Sequence, residues 1–567
     1  MSKRHWSIGV AILLVTCTAL VVPAVAQTVQ PPIVNAKGVG APPKGAGMGT
    51  KAALENPKCN ADAIKGWGVF PLVTSTSGPF CVAPAPSNNG GATSRGVTAT
   101  TIKVAVVLPN AQQFATLQAG GSRAPVNQAT TQSGNLFKDV VTDIWPAFAH
   151  TYETWGRNVE FSFVTSSGED EAAQRADAVA IQALKPFAVL DTYTRGLSTL
   201  ASVLAASKIL VFDYGTTTKD TLDQAPYRWA QNDPSGSAIN AGEFMGKQLV
   251  KGKAQWAGDD AFKTEKRKFG VVYPKGFDIT AFTKAFAKNG GKLATPPLEF
   301  VTNGSSFGDA TLAQAAAPGL IAKLKTAGVT SVIMFTDLAT GGQMTKVATE
   351  QQYSPEWLLT AYQYQDVALL ARSAYDQAQF AHAFGLSVLF PLTTAAAAAP
   401  LSEWYWGKGR STTEVVTTQM VGWLAAGIQY AGPTLNPSNF QKGLFAVPAR
   451  GGAASDSPTT IQNGYGKTNG LTYPSYFLSG VDFAPIWWDS DTTGSSNAID
   501  VKGKGVVWYV NDGKRYVAST WPTKTFKFFD KTGAVYIFDT PPPSQAGTAV
   551  VCTGCPSTGG AGTSSTG

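Results

Sequence analysis

Charge is scarce in this chain. Only 14% of its 567 residues are Asp, Glu, Lys or Arg. No run of Lys or Arg forms a basic stripe, which argues against nucleic acid as a partner. The net charge is +8 and falls to +6 if Lys3 and Arg4 are removed with a leader. Histidine is scarcer still, at three residues. His150 and His382 lie in helical patterns without acidic or cysteine partners at metal-ligand spacing, so both read as structural. Long apolar runs are missing beyond the N-terminus, and a membrane helix needs about 18 such residues. Catalytic signatures are missing too. There is no G-x-S-x-G elbow, P-loop or HExxH, and Pro109-Asn110-Ala111 stands where a G-x-G-x-x-G turn would follow the first strand. A Ser-His-Asp triad has no sequence pointer. No cofactor is expected.

What is present begins with an export signal. Lys3 and Arg4 precede the apolar stretch Trp6–Val22, and Ala24-Val25-Ala26 forms a small-x-small cleavage box before Gln27. Pro23 and that box favour a cleaved signal peptide over a membrane anchor. Thr16 before Cys17, with apolar residues beyond, argues against a lipoprotein signal. The expectation is an exported protein of the periplasm, cell envelope or extracellular space. Four cysteines would remain: Cys59, Cys81, Cys552 and Cys555. An even number in an exported chain suggests disulfides, with three possible connectivities. The CTGC motif lacks a second CxxC or nearby histidine for zinc, and lacks a βαβ setting for redox chemistry.

Apolar content is 44%, too high for general disorder. Residues 27–95 are rich in Pro, Gly and Ala and read as an irregular extension. Residues 541–567 read as a low-complexity tail. Between them, GVTATTIKVAVVLPN (Gly96–Asn110) opens a βα series with a buried strand, Ile102–Leu108. Helical patterns follow at 134–152, 169–184 and 198–206, and strand patterns at 159–164, 187–190 and 209–212. The series restarts with helices at 237–250, 279–288, 320–327 and 342–351. Its strands are expected at 269–273, 298–301, 331–335 and 357–361. Helical segments at 412–431 and 438–444 come next. Short strands at 506–510, 515–517, 525–529 and 535–538 close the folded part. Alternation of this kind predicts parallel sheets covered by helices.

Ligands of open α/β sheets sit beyond the carboxyl ends of the strands. Five such ends here carry hydroxyl and aromatic residues: Asp191–Thr194, Asp213–Thr217, Tyr273–Asp278, Thr336–Leu338 and Tyr362–Tyr364. Hydroxyls and helix-start N–H groups suit a carboxylate or other small polar group, and rings suit the remainder of a ligand. A second arrangement offers different chemistry. Asp482, Asp489 and Asp491 flank Trp487-Trp488, and Glu403 precedes Trp404-Tyr405-Trp406, as acids beside rings do in a sugar-cleaving cleft.

Four phrases, GVTATTIKVAVVLP, LASVLAASKILVFDYGTTT, RKFGVVYPKGFDITAFTKAF and LKTAGVTSVIMFTDLATGGQMTKVATEQQYSPEWLLTAY, together resemble the type I periplasmic solute-binding proteins of ABC transporters. The similarity is to the branched-chain amino acid (Leu/Ile/Val) receptor group, over residues 96–445. The resemblance implies two doubly wound, Rossmann-like α/β lobes joined by a three-crossover hinge. Lobe one would be 96–228 with 372–450, and lobe two 229–371 with 470–540. The crossings would lie near 226–234, near 362–372 and after 445. Terminal strands would pad lobe two.

The resemblance also implies site residues. Thr194 would bind a ligand carboxylate, and Gly215 and Thr217 would supply the small-residue positions. Phe277 would supply the second-lobe ring, and Phe114 a first-loop ring. Asp337, Tyr362 and Gln363 would face a ligand amine. The usual Ser/Pro/Ala loop is replaced by Asp213-Tyr214-Gly215, and the carboxylate expected near Tyr362 has only Asp366 close by. The implied protein is a non-enzymatic monomer that delivers a small polar ligand, an amino acid or related amide or carboxylate, to a membrane permease. An exported glycan enzyme and a ligand-free surface protein are the alternatives.

Overall fold

The computed structural model describes residues 85–539, except 112, 114–144, 146–151, 193–198, 216, 303, 305–306, 394–414, 448, 450, 463, 467–469, 479 and 498–500. The signal peptide, nearly all of the 27–95 extension, the four cysteines and the tail lie outside the described residues, as do Phe114, Thr194, Glu403 and most of the 134–152 helix.

Two parallel sheets organise the chain. In lobe one the strands are β1 (Thr101–Leu108), β2 (Asn158–Thr165), β3 (Ala188–Asp191), β4 (Leu210–Gly215) and β5 (Arg228–Asn232), in the order β2-β1-β3-β4-β5. Every pairing is parallel. The apolar run of β1 is buried on both faces because helices cover the sheet on both sides. Helices α1 (Glu171–Ala183) and α2 (Thr199–Ala206) pack on one face through Ala178, Ile181, Leu200 and Leu204. Asp170 caps α1 by accepting from the Ala173 N–H. The other face packs against two helices from far along the chain, described below. A short helix, α3 (Thr218–Asp223), follows β4.

Lobe two repeats the design. β6 (Phe269–Pro274), β7 (Leu298–Phe300), β8 (Ser331–Met334), β9 (Glu356–Thr360) and β10 (Ala383–Ser387) run parallel in the order β7-β6-β8-β9-β10. Helices α4 (Pro234–Gln248) and α5 (Ile279–Lys288) cover one face with Phe244, Phe282 and Phe286. Helices α6 (Ala310–Thr326) and α7 (Leu338–Glu350) cover the other with Ile321, Leu324 and Met344. The spacing of apolar residues placed only the second half of α6. Its first half is Ala-rich, is capped by Asp309 and runs through Pro318.

The chain enters lobe two between Asn232 and Pro234, where β5 gives way to α4. It stays there longer than expected. α8 (Ala368–Ala374) and β10 both belong to lobe two, because β10 is buried throughout and pairs with β9 on one edge and with β12 on the other. Residues 372–387, expected in lobe one, are thus part of lobe two. A two-residue strand, β11 (Leu392–Thr393), follows. Lobe one then receives α9 (Val415–Ala431) and α10 (Pro437–Phe445), whose Met420, Leu424, Ile428, Phe440 and Leu444 complete its core with Ile102, Val104, Val106 and Trp229.

Residues 470–478, also expected in lobe two, still line lobe one. Tyr476 and Leu478 are in its core, and the Ala230 and Leu478 N–H groups donate to the Tyr476 and Ala230 carbonyls at 3.1 and 2.8 Å. The chain returns to lobe two with β12 (Asp482–Ser495), which extends the sheet antiparallel with β13 (Lys502–Val510), β14 (Tyr516–Val517) and β15 (Ala534–Val535). β16 (Ile537–Phe538) pairs with β11. Residues 482–495, whose acids beside tryptophans offered the sugar-cleft arrangement, are one long strand. Residues 525–529, read as a strand, lie outside any strand, with Phe526 and Phe528 plugged into the α4 side of lobe two. Among the described residues no helix is long and apolar enough to cross a membrane.

Candidate functional site

In each lobe the strand order reverses beside the first strand, at β1/β3 and at β6/β8. Ligands of open α/β sheets sit beyond the carboxyl ends of the strands at such points, so the residues at those ends are the candidate site. After β1, Asn110 and Gln113 cap each other's backbone N–H groups at 3.0 and 2.8 Å, so Pro109-Asn110 starts a helical turn. After β3, the Thr192 hydroxyl donates to the Val107 carbonyl at 2.7 Å, which ties this loop to β1.

β4 ends in Asp213, Tyr214 and Gly215. Asp213 faces the sheet interior, where buried Arg228 donates to its Oδ2 at 2.7 and 3.1 Å. Tyr214 is only half-buried. Desolvation holds its phenol well above the ordinary value, and Tyr364 of lobe two and Asp191 of lobe one act in the same direction. Gly215 ends β4 opposite Asn232. Thr217 is exposed, and its hydroxyl caps α3 by accepting from the Asp220 N–H at 3.1 Å.

A knot of polar groups sits where the chain leaves lobe one. Asp233 caps α4 through the Gly236 N–H at 2.9 Å, accepts from the Thr218 hydroxyl at 2.9 Å, and accepts from the Tyr473 hydroxyl at 2.8 Å. Tyr473 lies on the return segment, so this carboxylate joins two of the three crossings. Burial raises its pKa against the pull of those donors.

In lobe two, Phe277 follows β6 and stacks into a ring cluster. Its centroid is 4.8 Å from Phe335 and 5.2 Å from Tyr362. Asp337 follows β8 but turns into the protein. Its Oδ1 caps α7 through the Thr340 N–H at 2.7 Å, and its Oδ2 accepts from the Thr302 hydroxyl at 3.0 Å. Gly308, at φ 78°, lies against it so closely that a Cβ there would sit 2.1 Å from Oδ1. The side expected to meet a ligand amine is thus occupied by the protein. Asp366 is likewise engaged, accepting from the Ser387 hydroxyl at 2.7 Å and the Val388 N–H at 3.0 Å. Burial raises the pKa of both carboxylates.

The loop after β9 is the strained part of the site. Ala361, Gln363 and Tyr364 have φ of 61°, 52° and 63°. Non-glycine residues in that region cost roughly 1–3 kcal/mol each and persist only where the surroundings impose them. Here the brace is buried Gln365. Its amide donates to the Met334 carbonyl, the Thr336 carbonyl and the Thr336 hydroxyl at 3.0–3.1 Å, and accepts from the Thr360 N–H at 3.3 Å. The loop presents Tyr362 and Tyr364, both half-buried. Burial pushes the Tyr362 phenol up to about 12, so it stays a neutral donor at physiological pH. Tyr364 also meets Phe307 at 5.9 Å.

The structure thus puts Gly215 at the carboxyl end of β4 and Phe277, Tyr362 and Gln363 on the loops after β6 and β9, turns Asp337 inward as a cap of α7, and uses Thr217 as a cap of α3. Reasoning from sequence gave Phe307 no role, because no local pattern marks it; the structure sets its ring 5.9 Å from Tyr364. The acids of the sugar-cleft arrangement have other partners. Asp482 is fully buried against Arg515. Asp489 accepts from the Asp491 and Thr492 N–H groups, the Thr492 hydroxyl and Trp508 Nε1, and pairs with Lys531. Among the described residues no three His, Cys, Asp or Glu side chains are grouped to hold a metal ion.

No protein-family model matches the chain, and no curated protein sequence matches it. Its neighbours among solved structures are type I periplasmic solute-binding proteins of ABC transporters, branched-chain amino acid binders among them. One is a solute-binding protein from Rhodopseudomonas palustris in complex with 3,4-dihydroxybenzoic acid. It is 13% identical, over 75% of this chain and 99% of that one, at a TM-score of 0.44. A fatty acid ABC transporter substrate-binding protein from Thermomonospora curvata is 15% identical over 72% and 94%, at 0.41. A substrate-binding protein from Desulfitobacterium hafniense in complex with Leu is 12% identical over 74% and 99%, at 0.39.

Proposed function

We propose that the protein is an extracytoplasmic solute-binding receptor. It captures a small polar ligand between its lobes and hands it to an ABC-type permease, without chemistry of its own. One observation carries the proposal: two lobes each build a parallel sheet of the same strand order, and the strands of both end in segments that carry hydroxyl and aromatic side chains. Three crossings connect lobes of this kind, and hinge closure around a ligand is the motion such a connection permits. The strained 361–364 loop fits a ligand clamp, since stored backbone strain concentrates at such places. We assign ligand contacts to Gly215, Phe277, Tyr362 and Gln363, with Phe114 and Thr194 contributing from the loops after β1 and β3. Thr217 and Asp337 position the loops they cap.

A receptor is stabilised by its ligand by RT ln(1 + [L]/Kd), about 2.7 kcal/mol at a hundredfold excess over Kd. The test is a thermal-unfolding screen of the purified full chain against amino acids, amides, short acids and aromatic acids. At least one class is expected to raise the transition. A screen in which none does so refutes the receptor.

A further inference from the structure

The edges of the two sheets are treated unequally. Lobe two ends its sheet on one side with β7, three residues long and preceded by Pro296-Pro297, and on the other with β15, two residues long. Lobe one covers β5 with the return segment, where Phe477 bridges Ala230 and the Leu478 N–H donates to the Ala230 carbonyl at 2.8 Å. Short strands, prolines and covering segments keep sheet edges from pairing with other chains. β2 has none of these devices. It is the opposite end of the lobe-one sheet, it is eight residues long, and among the described residues it pairs only with β1. None of its residues is buried, whereas β1 buries all but Thr101 and Lys103.

The strand's own register shows which partner fits. The Asn158 N–H donates to the Thr100 carbonyl at 2.8 Å and the Ser166 N–H to the Leu108 carbonyl at 2.9 Å, both toward β1. Pairing between those points is unbroken. N–H directions alternate along such a strand, so those of Val159, Phe161 and Thr165 point away from β1. Val159, Phe161 and Phe163 lie on the face that packs against the lobe-one core, and Glu160 and Ser162 lie exposed on the other. A two-fold axis through Phe161, perpendicular to the sheet, would set a second copy's β2 antiparallel to the first. Phe161 then meets its counterpart, Val159 meets Phe163, and Glu160 meets Ser162. Apolar side chains oppose apolar ones, and no like charges face each other.

We infer that two copies of this chain pair through β2, joining their five-stranded lobe-one sheets into one continuous sheet centred on Phe161. This dimer replaces the monomer that the resemblance implies. The contact is isologous, so it closes at two copies. It runs along the outer strand and not across the carboxyl ends of the sheet, and it stands whether or not the receptor proposal holds.

Sedimentation velocity of the full chain tests the pairing. Over about a hundredfold range of concentration the parent should show a monomer–dimer equilibrium. Ser162 faces Glu160 of the other copy at two symmetric places. Ser162→Glu puts like charges opposite each other at both and should raise the dimer dissociation constant about tenfold, while Ser162→Lys puts opposite charges there and should lower it. Both shifts should shrink in high salt. Val159→Pro removes an outward N–H, a change that only an edge strand tolerates, and should leave a folded monomer. A parent that stays monomeric throughout the range overturns the pairing. So does a dimer whose dissociation constant moves the same way, or not at all, with the two Ser162 variants.

Discussion

Arg515 and Asp482 form a fully buried pair in lobe two, and the surrounding bonds predict an unusual response to mutation. Arg515 donates to Asp482 Oδ2 at 2.8 Å and Oδ1 at 3.2 Å. It also donates to the carbonyls of Leu389 at 2.6 Å, Val388 at 2.9 Å and Asp482 at 2.8 Å. Asp482 in turn accepts from the Ala453 and Gln462 N–H groups, each at 2.9 Å. Residues 388–389 are the chain leaving β10 toward lobe one, and Asp482 is the chain newly returned. The pair therefore fastens two of the three crossings to lobe two.

Asp482→Asn strands the Arg515 charge in the core and should cost about 3–5 kcal/mol. For an isolated buried pair, replacing both partners with apolar residues of similar size restores most of the loss. Here the double variant Asp482→Leu/Arg515→Met leaves three carbonyls and two N–H groups without their partners, at about 1–3 kcal/mol for each that stays buried. It should remain at least about 3 kcal/mol below the parent, and Arg515→Lys should fall between. Urea unfolding at unchanged m-value measures all three. A double variant within about 1 kcal/mol of the parent would refute the fastening role.

Gln363→Gly should stabilise the ligand-free protein by up to about 1 kcal/mol in urea unfolding, because the left-handed conformation at φ 52° costs a non-glycine residue more than glycine's extra unfolded entropy. The same variant should bind ligand less tightly, since the loop loses preorganisation. Asp337→Asn keeps a good helix cap but removes a carboxyl whose folded pKa lies above its unfolded value of about 3.9. That group's contribution is fully present below the unfolded pKa and is lost as pH rises through the folded one. The urea midpoint of the variant should therefore decline less than that of the parent as pH rises above about 4. Gly427→Ala would place a Cβ 1.9 Å from the Phe440 ring where α9 crosses α10. It should cost about 1–3 kcal/mol, and an unchanged urea midpoint would contradict that packing.

The alternation of strands and helices was legible because each element announces its own period. Apolar runs at 102–108, 209–212 and 269–273 match β1, β4 and β6, and the Ile279–Lys288 helix matches to the residue. What escaped were features set by distant partners. Ala383–Ser387 is too short and too plain to read as a strand alone, and it becomes one because β9 and β12 accept it on both edges. Residues 525–529 have strand-forming side chains but no partner edge, so their rings fill a gap beside α4 instead. Residues 482–495 contain three acids and a glycine, which argue against a strand locally. Burial of Asp482 against Arg515, and a register shift between Asp489 and Thr493, accommodate them.

The candidate site divides along a physical line. Ring positions such as Phe277 and Tyr362 were legible as residues just beyond strand ends, and there the two rings pack 5.2 Å apart. Carboxylate positions were not, because the same side chain serves equally as a ligand partner or a helix cap. Sequence shows Asp337 just beyond the 331–335 strand pattern in either case, and the helix expected at 342–351 begins at Leu338 in the structure. The Thr302 hydroxyl, 35 residues away, and the bare backbone of Gly308 decide which role it takes. Asp233 follows the same rule, with Thr218 and Tyr473 supplied by segments on either side of it in the chain. In this protein Asp233, Asp337 and Asp366 build the frame.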